Sequence, residues 1–495
     1  MKEALGRIFL RKGWRERKGY SNMQYVADLH LHSKYSRAVS RDMILPTMAR
    51  WGKKKGIDIL STGDWTHPLW FREIKAQLEE KGEGLYGLKS EIRSTKSETN
   101  SNVQNSNVQK KEPFFLLSTE IASIYKQGEK LRRIHNLVFS PNFEIAEKIN
   151  KELGRRGCNL HSDGRPIIGI SSKNLLEILL SIDKRILLIP CHVWTPHFGI
   201  YGSASGFDSL DEAFGEFSKY IYGIETGLSS DPEMNWQMGD LKTRSILSFS
   251  DAHSPPKMGR ECTVFTAQNS KFKTQNHSSK LKISYEDIMS AIKRDPKGNL
   301  KISYTIEFYP EEGKYHFSGH RNCRVVFGPE DIKTKGNICP VCARRLTEGV
   351  LYRVGQLGNK NSSLVVEEKI SPNGIKWYTD KTKRHPPFVK LVPLLEIIAE
   401  GLESTVTSIK VKEMFDNVCE ELNSEINILL KTGISEIQKL AGARIAEGID
   451  KVRRGAIVVD PGFDGEYGTV KIWNHNKIEI ENKEDNAKIQ LGLGF

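Results

Sequence analysis

With 495 residues the chain is too long for one compact core and predicts two to four domains. Lysine and arginine outnumber aspartate and glutamate by 74 − 61 = 13, and a pI near 9.2 suits a polyanionic partner without naming one. Seven cysteines, four of them scattered singly (Cys158, Cys191, Cys262 and Cys419), argue against a secreted disulfide framework, and no run of about 18 apolar residues is present to cross a membrane. A soluble cytoplasmic protein is expected. Residues 1–22 carry seven basic and two acidic side chains and no apolar core, so they are expected to be a leader without structure ahead of a start at Met23.

The first predicted strand, YVADLHLH from Tyr25, ends in His30 and His32, which strand alternation places on one face. Further β-rich runs begin at Ile57 (IDILST), Phe114 (FFLLST), Ile134 (IHNLVF), Ile186 (ILLIP), Tyr220 (YIYGIE) and Ser245 (SILSFS), with helices predicted over 142–153, 171–182 and 209–218. Such strand–helix repeats predict an α/β fold, either a parallel barrel or a doubly wound sheet, and periodicity does not choose between them. Residues 90–112, rich in Ser, Asn, Gln, Lys and Thr, are expected to be a disordered insertion.

The chemistry-bearing residues sit at the ends of these runs. They are His30 and His32; Asp64 in STGDWTH, with His67 beyond it; Glu120 in LSTEIA; His135 in RRIHNLVF; His192 in IPCHVWTPHF; and Asp251 with His253 in SFSDAHS. Any one alone reads as a cap or a satisfied core polar group. Together, on one rim of a parallel α/β fold, these imidazoles and carboxylates would repel or stay unsatisfied without cations. Mixed nitrogen and oxygen ligands suit Zn2+, Mn2+ or Fe2+, about two or three ions for a set this large. No G-x-S-x-G, P-loop or isolated Cys–His pair argues for a protein nucleophile.

The ordered series DLHLHS, TGD, STE, IHN, PCH and SDAH resembles the motif set of the polymerase and histidinol phosphatase (PHP) superfamily, from residue 24 to about 270. The longer stretches DLHLHSKYSRAVS, STGDWTHPLW, HVWTP, GLSSDPEMNW and SDAHSPPKMGRE are similar to the endonuclease Q family of DNA repair nucleases. The resemblance implies that residues 23–300 form a seven-stranded PHP-type β/α barrel with a polynuclear metal centre. It implies metal ligation by His30, His32, Asp64, Glu120, His135, His192, Asp251 and His253, with Asp64, Asp251 and His253 in catalytic roles. The implied activity is metal-dependent hydrolysis of the phosphodiester 5′ of deaminated bases (uracil, hypoxanthine, xanthine) and of abasic sites, leaving a 3′-hydroxyl and a 5′-phosphate. Many PHP enzymes carry a further histidine shortly after the H-x-H pair, where this chain has Ser33, Lys34, Tyr35 and Arg37; His67 and His197 are the nearby substitutes.

Lys34, Arg37 and Arg260 are candidates to place charge against the phosphate. A deaminated base must leave the stack to be read. The loop from Trp194 to Asp208 offers Trp194, Phe198, Tyr201 and Phe207 for stacking, with packing inside the loop as the competing role.

Residues 301–390 are expected to form a small zinc-binding module. His320 and Cys323, like Cys339 and Cys342, are separated by two residues, and 339 − 323 − 1 = 15 residues lie between the pairs. This spacing suits a filled, structural tetrahedral Zn2+ site. Endonuclease Q relatives often have four cysteines here, so His320 is a departure, with His316 as an alternative ligand.

Residues 391–480 read as a helical domain with a small hairpin in AIVVDPGFDGEYGTVKIW. Ile434, Ile437, Leu440, Ala441, Ile445, Ala446, Ile449 and Val452 predict one amphipathic helix ending near Gly455. Lys439, Arg444, Lys451, Arg453 and Arg454, on or beside its outer face, are candidates to track phosphates. Residues 481–495 are expected to be a flexible tail in which Gln490, Leu491, Leu493 and Phe495 resemble short clamp-binding peptides, implying the replication sliding clamp as a partner.

The expectation is a monomeric, nucleoid-associated DNA repair endonuclease acting on double- or single-stranded DNA. Zn2+ is expected in both sites, with Mg2+ or Mn2+ as alternatives in the catalytic one. The competing readings are a PHP phosphoesterase acting on a small phosphate monoester, which leaves the zinc module and basic helices without purpose, and a zinc-ribbon DNA-binding protein with an inactive barrel, which the ligand set disfavours.

Overall fold

The structure is a computed structural model, which describes residues 23–94, 112–268, 283–358 and 364–473. The leader 1–22, residues 95–111 of the expected insertion, and the tail with Gln490, Leu491, Leu493 and Phe495 lie outside those residues. No helix among the described residues is long and apolar enough to cross a membrane.

The seven predicted strands form as Gln24–Asp28, Ile59–Ser61, Phe114–Leu116, Lys130–Phe139, Leu187–Pro190, Gly223–Glu225 and Ser245–Leu247. Four of them are buried at every residue. Strands covered on both faces read as near-continuous apolar runs, which is why these short segments were recognisable. Helices Phe143–Arg155 and Ser172–Ile182 begin where Asn142 and Ser171 accept a hydrogen bond from the backbone N–H three residues on.

Strand pairing departs from an all-parallel ring. Gln24–Asp28, Ile59–Ser61 and Phe114–Leu116 run parallel within a ten-stranded sheet. Lys130–Phe139 instead lies antiparallel between Ser118–Gln127 and Leu187–Pro190, in a four-stranded sheet. Gly223–Glu225 and Ser245–Leu247 form a separate parallel pair. The cause is local: Ser118–Gln127 turns back through Gly128, at φ +59°, into Lys130–Phe139, and so short a turn pairs its strands antiparallel. A parallel bridge between Leu31 and Ala252 joins the end of the first strand to the loop after the last. Cys262–Ala267 pairs antiparallel with the first strand and Leu300–Glu307 antiparallel with Cys262–Ala267, so the large sheet continues across residue 300 to Phe388–Lys390.

The C-terminal part is helical: Leu394–Gly401, Ile409–Glu421, Glu425–Leu430, Ile434–Ala441 and Ala443–Arg454. The single helix expected from Ile434 to Val452 is two, broken at Gly442 with φ +87°, a conformation that favours glycine and ends the first helix. The second ends at Gly455, as expected, in the left-handed conformation. Arg453, read from the sequence as a phosphate candidate, is buried and donates to the carbonyls of Leu429, Ile428 and Thr432 at 2.9, 2.6 and 2.6 Å. It satisfies carbonyls at and just beyond the C-terminal end of Glu425–Leu430 and does not face solvent. Arg444 lies over the Trp473 ring at 3.8 Å, Lys451 is 3.5 Å from Glu447, and Arg454 pairs with Asp450 at 3.0 Å.

This helical part is fastened to the sheet by a buried ion pair. Lys55, the last residue of helix Leu45–Lys55, places Nζ 2.6 Å from Glu425 Oε2, and both side chains are buried. Trp51 stacks on Phe415 beside it. Removing one partner of such a pair strands the other charge in a dry site, at about 3–5 kcal/mol, whereas replacing both by apolar groups is often neutral. Lys55→Met is therefore expected to lower the denaturation midpoint clearly, and Lys55→Met with Glu425→Leu to recover most of the loss; equilibrium denaturation followed by circular dichroism checks both.

Candidate metal centre and its cleft

Three groups of ligand atoms, each with its members within 4.8 Å of one another, meet in one place: His30, His32 and Asp251; Glu120, His135 and His192; and His30, Glu120 and Cys191. The H-x-H pair lies just past the first strand, with ring centroids 5.3 Å apart. Glu120 and His135 come from the two strands of the hairpin, where His135 is paired with Ala122 and Glu120 with Leu137. His135 therefore reaches the site from within an antiparallel strand, not from the end of a parallel one.

Glu120 joins the groups. Its Oε1 is 2.5 Å from His135 Nδ1 and 2.9 Å from His192 Nε2, and its Oε2 is 3.3 Å from His32 Nε2 and accepts from Arg165 at 3.0 Å. Asp251 Oδ1 is 3.0 Å from His32 Nε2. Other carboxylates stand behind the imidazoles. His30 Nδ1 donates to Glu225 at 2.8 Å, and His32 Nδ1 to Asp64 Oδ1 at 3.1 Å. Asp64 Oδ2 is already occupied by the Ser33 N–H, the Ser33 hydroxyl and the Ser36 hydroxyl, at 2.6, 2.7 and 2.9 Å. Asp64 thus orients His32 and lies outside the three groups. His253 also lies outside them; its ring is 4.7 Å from that of His32, and its Nδ1 donates to the Asp251 carbonyl.

Backbone geometry aims these side chains. Asp64, His192 and Asp251 all have positive φ, at +45°, +33° and +47°. Non-glycine residues adopt this region at a cost, and such strain gathers at functional sites. Gly164 permits a close approach: a Cβ there would meet Asp64 Oδ2 and Ser36 Oγ at 2.5 Å.

The electrostatics fit a cation. Burial would lower the pKa of His30, but Glu225 and Asp251 drive it well above the usual imidazole value. His32 is raised in the same way by Asp64 and Asp251 against burial. Asp251 is held far below the usual carboxylate range, with burial outweighed by His30 and His32. His135, by contrast, is pushed down to about 4 by burial, against the pull of Glu120. His30 Nε2 is buried without a hydrogen-bond partner, 3.7 Å from both Glu120 and Asp251. A buried imidazole nitrogen that faces two carboxylates without a hydrogen-bond partner has the surroundings of a metal ligand.

Above the cluster opens a cleft of about 680 Å³ lined by His135, His192, Asp251 and His253, by Arg37, Arg165, Lys257, Arg260 and Lys314, and by Phe198, Tyr315 and Tyr467. Among the DNA-contact candidates, Arg37, Arg260 and Phe198 face it. Lys34 instead pairs with Glu73 at 2.9 Å. Trp194 and Tyr201 are buried and bonded inward, to Asn235 and Asp240, so they brace the loop and offer no base platform. Phe207 is buried as well. His67 donates to the His161 carbonyl, and the ring of His197 lies 6.2 Å from that of Tyr315; neither joins the three groups.

Glu225, Arg165 and Cys191 were missed from the sequence. Glu225 ends the run YIYGIE as Glu120 ends LLSTE, and that parallel was the available signal. Arg165 sits in a turn with no motif of its own.

A second group lies apart. His320, Cys323, Cys339 and Cys342 bring their ligand atoms within 4.8 Å of one another, with Cys342 Sγ 3.3 Å from His320 Nδ1. His316 is not among them.

Carboxylates behind metal-bound imidazoles fix the ring and raise its basicity, and their loss weakens metal binding about 10–100-fold. Glu225→Gln, which keeps the shape but removes the charge, is expected to weaken Mn2+ or Zn2+ affinity by that factor, as measured by calorimetric titration.

Residues 393–456 match the family described as the MJ0043 C-terminal domain. The chain is 29% identical over 293 residues to the uncharacterised protein MJ0043 of Methanocaldococcus jannaschii, a match covering 59% of this chain and about a third (32%) of that relative's length. It is 24% identical to the uncharacterised protein YqxK of Bacillus subtilis over 344 residues, 68% of this chain and 74% of that one. Among solved structures, the lesion-specific endonuclease PfuEndoQ of Pyrococcus furiosus superposes with a TM-score of 0.71 at 27% identity, covering 91% of this chain and 95% of that chain. Endonuclease Q bound to a 27-mer duplex with an abasic lesion at its active site gives the same score and identity, covering 91% and 97%. Over nine-tenths of its length this chain is similar in fold, and at 27% identity in sequence, to endonuclease Q.

Proposed function

We propose that the chain is a metal-dependent DNA repair endonuclease of the PHP type. In this reading it hydrolyses the phosphodiester 5′ of deaminated bases (uracil, hypoxanthine, xanthine) and of abasic sites. Water adds to phosphorus as the bond to the upstream 3′ oxygen breaks, which leaves a 3′-hydroxyl and a 5′-phosphate. The observation that carries the reading is a cleft, with Arg37, Arg165, Arg260 and Lys314 in its lining, that reaches His135, His192 and Asp251 of the cluster formed with His30, His32 and Glu120. Divalent cations held by those residues would supply the activation of water and the neutralisation of phosphate charge that such hydrolysis needs.

The chain's own residues do the rest. Glu225 and Asp64 hold His30 and His32 in the tautomer that leaves Nε2 toward the cluster. Arg165, pinned to Glu120, and Arg37 and Arg260 in the cleft lining present guanidinium groups to phosphate oxygens. His320, Cys323, Cys339 and Cys342 would hold a structural Zn2+. The sliding clamp stays a proposed partner through Gln490, Leu491, Leu493 and Phe495.

Asp251→Ala removes a cluster ligand that is partly exposed at the cleft and is no core side chain. It is expected to abolish nicking of duplexes carrying one uracil or hypoxanthine, with Mn2+, Mg2+ or Zn2+ supplied, while leaving DNA binding in a mobility-shift assay largely intact. Cleavage of small phosphate monoesters but of no duplex would favour the phosphoesterase instead. Cys339→Ser should release one zinc per chain by elemental analysis and weaken DNA binding more than the cleavage rate of bound substrate.

A further inference from the structure

One wall of the cleft belongs neither to the metal cluster nor to the sheet. Tyr467 lies between the strands Val458–Asp460 and Thr469–Lys471 of the C-terminal hairpin and lines the same cleft as Asp251 and His253. Its side chain is 69% exposed, and Lys314 Nζ sits 4.5 Å from its ring centroid. The segment that carries it is firmly held. Gly462 N donates to the Glu311 carbonyl at 2.8 Å, Gly465 N to that of Lys314 at 2.9 Å, and Gly468 N to that of Glu312 at 3.1 Å. Asp464 adds side-chain bonds, accepting from Arg321 N at 2.7 Å and from the Thr347 hydroxyl. Arg321 lies between His320 and Cys323, so the loop of the second ligand group grips the hairpin turn.

A large ring left in solvent on a clamped turn, with an ammonium against it, at the mouth of a cleft that leads to an Asp and His cluster, has the chemistry of a nucleobase platform. Every base has a π-face to stack on an aromatic side chain, and the ammonium adds charge for the backbone. We propose that Tyr467 is the platform on which the extruded lesion base stacks, making it a specificity-determining residue; this rests on the endonuclease reading above. The proposal separates substrates by chemistry. A lesion that keeps its base, such as uracil or hypoxanthine, gains the stack, and an abasic site does not.

The test compares the full chain with Tyr467→Ala, Tyr467→Phe, Tyr467→Trp and Asp464→Ala on duplexes carrying uracil, hypoxanthine or an abasic site. Tyr467→Ala is expected to lower kcat/KM on the two base-bearing duplexes by about tenfold or more, and on the abasic duplex by less than about twofold. Phenylalanine and tryptophan should restore cleavage to within about twofold, because the stack needs only a ring. Tyr467→Trp emission should fall on binding the uracil duplex and not the abasic one. Asp464→Ala, which removes the turn's two side-chain anchors and leaves its backbone bonds, should give a smaller loss with the same selectivity. Undiminished cleavage by Tyr467→Ala, or an equal loss on abasic and base-bearing duplexes, overturns the proposal while leaving the endonuclease reading intact. Wild-type protein inactive on every lesion duplex overturns both.

Discussion

Four carboxylates crowd two imidazoles at the floor of the cleft, and most of the local structure is arranged to tolerate that crowding. Glu120, Glu225 and Asp64 are fully or almost fully buried, and Asp251 shows only a quarter of its side chain to solvent. Buried anions of this density require compensating positive charge and hydrogen bonds. The chain supplies some through Arg165 and the donors around Asp64, and leaves the rest to the imidazoles, whose raised affinity for protons measures what a cation would replace. Left-handed backbone at Asp64, His192 and Asp251 is the conformational counterpart, at on the order of 1–3 kcal/mol each.

The strand ends were legible because short apolar runs closed by His, Asp or Glu are rare unless the polar residue has a task. The seven strands follow from their apolar runs, the shared face of the H-x-H pair from strand alternation, and the helix starts at Asn142 and Ser171 agree with their capping side chains. What pairs with what did not follow. The hairpin from Ser118 to Phe139 reads locally as two apolar runs, and nothing in its composition says that the second returns beside the first. Aromatic content likewise does not say which way a ring faces: Trp194 and Tyr201 look inward to Asn235 and Asp240, while Phe198 looks into the cleft. Arg453 belongs to the same class, since a charged residue near a helix end reads as solvated until the carbonyls it serves are known. The break at Gly442 is invisible to periodicity because the apolar stripe resumes in phase on the other side.

The cleft is a composite. Its floor comes from the first 253 residues, but Lys314, Tyr315, Glu396 and Tyr467 complete its rim. The contact of Lys257 with Glu396 at 2.6 Å fastens the two parts at the cleft, and the Lys55–Glu425 pair fastens them elsewhere. The helical part and its hairpin therefore shape the entrance through Glu396 and Tyr467, and Lys314 before them adds a positive charge to the rim.

The antiparallel hairpin has a consequence in time. Glu120 and His135 belong to two strands joined by the turn at Gly128, so their meeting needs only local pairing. His30 meets Glu225 across 195 residues of chain, and His32 meets Asp251 across 219. Closing long loops costs entropy before any contact repays it, and such contacts form late. During synthesis the hairpin half of the centre can be in place long before Asp251 has left the ribosome. The contacts of His30 and His32 with Glu225 and Asp251 can form only once those later segments are made, so the cluster is complete only when the sheet beneath it is nearly so.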